Sequence, residues 1–132
     1  MLSQIVQDSP QSAEAYFHLG LNLHLKLEFE AAIKTYQQAI QLDPTYDPPY
    51  TNMGLALIES DQLTEASIVF KQVLSLPDRS EVPASIHTLA HYNLAIILKR
   101  QGETNAALQA VNAALAITPG FVQAQKLWQM LH

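Results

Sequence analysis

The sequence predicts an all-α fold of stacked helical hairpins, and three observations carry that expectation. Residues of one type recur at an offset of 34: Tyr16, Leu19 and Gly20 return as Tyr50, Met53 and Gly54, while Ala32, Tyr36 and Ala39 return as Ala66, Phe70 and Val73. Within each segment the apolar residues fall at i, i+3 and i+4, the spacing of one helix face. Prolines (Pro44, Pro77, Pro119) follow the second segment of each copy, where a helix stops readily. A period of this size marks a repeat architecture in which each unit buries its apolar face only against its neighbours.

The elements follow in order. Residues 1–12 come first, and Ile5 to Pro10 repeat the close of a second helix without the helix before it. Two expectations stand for this segment: the remnant of a preceding repeat in a larger array, or a short lead-in. Repeat one spans 13–46. Its first helix turns Ala15, Tyr16, Leu19, Gly20, Asn22 and Leu23 to one side, roughly 80° to 240° around the wheel. Its second helix carries the stripe Ala32, Ile33, Tyr36, Ala39 and Ile40. Repeat two spans 47–80, opening on Asp47 as N-cap with Pro48 and Pro49 in the first turn, where no amide needs a partner. Its second helix reads Ala66, Val69, Phe70, Val73 and Leu74. Gly20 and Gly54 stand in mid-helix at a cost of about 1 kcal/mol each against Ala. Close approach of Ala32 and Ala66 on the partner helices accounts for them.

The third copy, 88–121, begins 41 residues after the second, so an insert, 81–87, separates them. Two readings of the insert stand. In one, Asp78 or Ser80 caps a helix running from about Glu81 to Arg100, and Val82 and Ile86 extend the Leu89–Asn93–Ile96 line as a wall. In the other the insert is a longer loop. The third repeat continues with His91, Tyr92, Leu94 and Ala95, then Ala107, Leu108, Val111, Ala114 and Leu115. Residues 122–132 read as a capping helix, with Ala124, Leu127, Trp128 and Leu131 covering the last exposed face. Trp128 is assigned to that packing and not to a ligand contact.

These residues resemble the tetratricopeptide repeat (TPR), whose 34-residue helix–turn–helix unit is recognised by aromatic, Leu-Gly, Ala, aromatic and Pro positions. The resemblance covers all three copies, with Leu23, Leu57 and Leu98 where the family pattern has Tyr, and His91 where it has an aromatic residue. It implies a right-handed α-α superhelix, a TPR solenoid of three hairpins plus the capping helix.

Composition narrows the function. The chain has 132 residues, 48% hydrophobic and 14% charged, with a net charge of −5 and no cysteine. Disorder throughout, a membrane span, thiolate metal sites and a Cys nucleophile are excluded, and a phosphate-backbone binder is disfavoured. Met1 to Pro10 hold no positive charge and no signal-peptide core, so a cytoplasmic protein is expected. His87 and His91 have a chelating i, i+4 spacing, but no Glu follows His87 as a zincin motif requires, and His91 occupies a packing position. No nucleophile motif or phosphate-cradling glycine loop is present. We expect no cofactor, no metal and no enzymatic activity. Lys99-Arg100 is the only basic pair; either it is a meagre nucleic-acid footprint or it serves as favourable charge at a helix C-terminus.

Binding is the remaining role. On each first helix a second face points away from the hairpin, toward the concave side of a solenoid. It offers Phe17, His18, Leu21 and His24, then Asn52, Leu55 and Ile58, then Leu89, Tyr92, Asn93, Ile96 and Lys99. So much apolar surface predicts a groove for an apolar or amphipathic segment of a protein partner, unless strong curvature closes the groove on itself. Asn52 and Asn93 are candidates to bond a ligand backbone or are merely solvated helix residues. TPR modules that hold the acidic C-terminal tails of heat-shock chaperones use Lys, Asn, Asn, Lys and Arg at set positions; here those positions hold Phe17, Leu21, Asn52, Leu89 and Asn93, so that role is not expected. The primary expectation is an adaptor or assembly factor. Self-association as a homo-oligomer and a chaperone role for secretion or membrane-complex subunits are the alternatives.

Overall fold

The computed structural model describes residues 12–132. Over these residues it contains seven α-helices: α1 Ala13–Leu25, α2 Phe29–Leu42, α3 Pro48–Glu59, α4 Leu63–Ser75, α5 Ile86–Arg100, α6 Thr104–Ile117 and α7 Val122–Leu131. There is no strand among the described residues. Two compact units divide at Val69/Phe70, inside α4. The Ile5–Pro10 segment lies outside the described residues.

The hairpin turns repeat as faithfully as the helices. Leu27, Asp61 and Gly102 take left-handed backbone, with φ of 64°, 62° and 79°. Their spacing is the spacing of the repeats. In each turn the next residue donates its amide back to a leucine carbonyl near the helix end: Glu28 to Leu23 at 3.0 Å, Gln62 to Leu57 at 2.7 Å and Glu103 to Leu98 at 2.9 Å. One left-handed residue thus reverses the chain within three residues and supplies a partner for a carbonyl that the ending helix leaves open.

In the first unit α1 packs on α2 and α2 on α3. Ala32, Tyr36 and Ala39 are fully buried, with Tyr50, Met53 and Leu57 nearly so. Ser12 caps α1, its Oγ accepting from the Ala15 amide at 3.1 Å. Asp47 marks the start of α3 as expected, with Pro48 and Pro49 in the first turn, although its side chain makes no capping bond. Its carbonyl accepts from the Tyr50 amide instead. The glycine at 20 has a different cause from the one its sequence suggests. A Cβ there would meet Cε1 of Tyr36 at 2.6 Å, so the tyrosine ring, and not Ala32, presses on it.

In the second unit α5 packs on α6 and α6 on α7. Ala95, Val111, Ala114, Phe121, Ala124 and Leu127 form its core, with Leu89, Tyr92, Ile96 and Leu131 against the edge. Thr88 and Thr118, thirty residues apart, share a hydroxyl hydrogen bond of 2.7 Å that ties the start of α5 to the end of α6.

The insert is a loop up to Ser85, the second of the two readings, and not a helix from Glu81. The helix begins at Ile86, capped by Ser85, whose Oγ accepts from the Thr88 amide at 3.3 Å. The Asp78 carboxylate accepts the amides of Arg79 at 2.9 Å and of His87 at 3.0 Å. Ile86 donates its amide to the Arg79 carbonyl at 2.9 Å. These bonds clip the loop across its base, and Glu81 turns to Arg79 in place of a capping box. Val82 is 87% exposed and extends no wall, whereas Ile86 is buried. Trp128 likewise departs from expectation: it is 39% exposed, and its ring lies 3.9 Å from that of His132. The face of α7 that packs is Ala124 and Leu127, with Phe121 just ahead of it. Among the described residues no helix is long and apolar enough to cross a membrane.

Candidate functional site

In the first unit the expected ligand-facing residues fall into two groups. Leu21 and Leu55 are half-buried on α1 and α3, and Phe17 sets its ring edge-on to Tyr46 at 6.0 Å and tilted to Tyr36 at 6.2 Å. Ile58 is 7% exposed and belongs to the core. The polar residues are engaged within the molecule. His18 lies 3.6 Å from Glu14. His24 approaches the Tyr36 hydroxyl with Nδ1 at 3.3 Å and the Glu59 carboxylate with Nε2 at 3.2 Å. That bridge joins α1 to α3 and fixes the buried Tyr36 ring. Burial, helped by the Glu59 charge, raises the Tyr36 hydroxyl well above the ordinary tyrosine range. Asn52 donates Nδ2 to the Pro48 carbonyl of its own helix at 3.2 Å.

In the second unit Asn93 does the same toward Leu89 at 2.9 Å and is buried. Both asparagines thus spend an amide proton locally, which reduces what they offer a ligand. Leu89 is half-buried against the core edge. Tyr92, Ile96 and Lys99 come together in an open cleft between α5 and α7, with a volume of about 310 Å3. From α7 the cleft receives Gln123, Lys126, Leu127 and Met130, and from the end of α5 it receives Arg100. Tyr92 meets Phe121 edge-to-face at 5.3 Å, which fixes α5 against the start of α7.

The contribution of α7 is what sequence reasoning missed. Its signal was available: after Glu103 no Asp or Glu occurs, and Lys126 is the one Lys or Arg in that stretch. The His87–His91 pair takes other duties. The His87 ring bonds the Leu76 carbonyl at 2.7 Å. Burial, and then the charge of His87, depress the pKa of His91 below the ordinary histidine value. No group of three or more His, Asp or Glu suited to a metal occurs among the described residues.

Comparison with known proteins agrees with the architecture. The chain matches the family described as TPR repeat over residues 28–61, and that described as tetratricopeptide repeat over 48–78 and 89–121. The cell division cycle protein 27 homolog of Caenorhabditis elegans is 29% identical over 119 residues, covering 89% of this chain. The chain spans only 14% of that protein's length. The crystal structure of MamA superposes with a TM-score of 0.84 at 21% identity, covering 98% of this chain and 72% of that one. That of YrrB, described as a TPR protein with an unusual peptide-binding site, gives 0.80 at 18%, covering 98% and 63%. At such identities the structural likeness establishes the fold, an all-α superhelix of helical hairpins. With the repeat period, the recurring left-handed turns and the family matches in agreement, the chain belongs to the tetratricopeptide repeat family of protein-interaction modules.

Proposed function

We propose that this chain is a non-catalytic adaptor whose first-helix faces hold an apolar or amphipathic segment of a partner protein. One observation carries the reading. Tyr92, Ile96 and Lys99, which the repeat pattern assigns to the ligand side, line an open cleft of about 310 Å3. That volume suits one or two side chains of a bound segment. Half-buried Leu21 and Leu55 in the first unit support it, because they leave apolar surface that an interaction segment would cover. A relative described by its peptide-binding site belongs to the same structural class.

The test compares wild-type protein with the Leu21→Glu/Ile96→Glu variant in capture of partners from a native extract, followed by cross-linking to locate the contact. Both residues lie at the edge of the packing, so circular dichroism must first show unchanged helicity. The expected result is loss of every specific partner. Undiminished capture by the helical variant would place the ligand elsewhere and overturn the proposal.

A further inference from the structure

The cleft between α5 and α7 carries a charge pattern that its apolar floor does not require. Lys99, Arg100 and Lys126 border it, and no acidic side chain does. No ion pair among the described residues involves any of the three. Lys99 and Arg100 close α5, where cations offset the open carbonyls of a helix end. Lys126 stands in the middle of α7 and has no such role. The surrounding sequence offers one acidic residue, Glu103, which neither lines the cleft nor forms an ion pair with the three; residues 82–102 and 104–132 contain neither Asp nor Glu. The contrast runs through the whole chain. Residues 1–69 hold nine acidic and two basic residues, whereas 70–132 hold three acidic and five basic ones. A net-acidic protein thus concentrates three of its seven Lys and Arg residues around one cavity.

Like charges set around a low-dielectric wall raise the local potential, and an anion placed among them relieves it. The apolar lining adds a second requirement, because a bare inorganic anion would leave half-buried Ile96 and exposed Met130 uncovered. We propose that the cleft takes an acidic–apolar peptide segment of the partner, whose Asp or Glu side chains pair with Lys99, Arg100 and Lys126 while an apolar side chain covers Ile96 and Met130. This rests on the adaptor reading above and adds the chemical class of the segment. It is distinct from the clamp for chaperone tails, whose positions here fall on Phe17, Leu21, Asn52, Leu89 and Asn93.

Calorimetric titration of the full chain with an acetylated, amidated peptide, Gly-Glu-Phe-Glu-Leu-Glu-Gly, tests it; the blocked ends leave only side-chain carboxylates. The glutamate peptide should bind about tenfold or more tightly than its glutamine counterpart, a difference of about 1.4 kcal/mol. That preference should shrink as ionic strength rises from about 0.01 to about 0.5 M. The Lys99→Glu/Lys126→Glu variant, helicity unchanged, should lose the preference and gain affinity for the lysine counterpart. Equal binding of the glutamate and glutamine peptides would overturn the inference and leave the adaptor reading standing. Binding of neither peptide, a preference untouched by the double variant, or displacement of the glutamate peptide by equimolar inorganic phosphate would each overturn it as well.

Discussion

At the scale of single residues, two side chains carry more of the local structure than their types suggest. Tyr36 is fully buried, presses on Gly20 and is held by His24, so it cannot yield to a larger neighbour. Gly20→Ala should therefore destabilise the chain by about 1–3 kcal/mol in urea unfolding, although Ala is the better helix former. A stabilised variant would mean that the ring moves freely. His91 is the second case. Its pKa is depressed in the folded chain by burial and by His87, so the unfolded chain takes up the proton first as pH falls through about 6.5. Stability should therefore decline from neutral pH toward the depressed folded value. His91→Tyr, which restores the aromatic residue of the other copies, should flatten that decline. Parallel pH profiles of wild type and variant would contradict the assignment.

At the scale of elements, the turns decide what the helices can do. Leu27 and Asp61 occupy left-handed backbone that Gly102 adopts without strain. A Cβ at Gly102 would touch nothing, so side-chain space is not the issue there. Leu27→Gly should raise stability by about 1 kcal/mol, and Gly102→Ala should lower it by a similar amount, both read from denaturant midpoints. The reverse order would show that the turns differ in more than their conformation. The helices themselves were legible because a 3.6-residue apolar stripe and a terminating proline are local signals. The insert was not. Whether Glu81 to Ser85 coil or run straight depends on Asp78 capturing the His87 amide nine residues away, a contact that periodicity does not encode. The Asp78 carboxyl bears the mark of that contact: burial works to raise it, yet bonds from the His87 amide, the Ser85 hydroxyl and the Arg79 amide, with the His87 charge, hold it below the ordinary aspartate value. The same limit applies to Trp128, since the wheel places it beside Leu127 but not whether a partner lies opposite.

At the scale of the whole molecule, repetition supplies the surface and the exceptions supply the chemistry. Of the residues that repeat spacing assigned to a ligand, Tyr92, Ile96 and Lys99 line one cleft, while Ile58 and Asn93 are buried and His24 bridges two helices. Wheel arithmetic sorts residues by direction and is blind to a neighbour arriving from outside the repeat, which is how α7 completes the cleft. Its Lys126 and Leu127 lie where the repeat period has already ended. Spectral mapping in solution tests the central claim most directly: the amide and methyl signals of the labelled chain are followed as the blocked Gly-Glu-Phe-Glu-Leu-Glu-Gly peptide is added. The account predicts that shifts concentrate on Tyr92, Ile96, Lys99 and the Gln123–Met130 stretch. Shifts confined to the outward residues of α2 and α6 would contradict it.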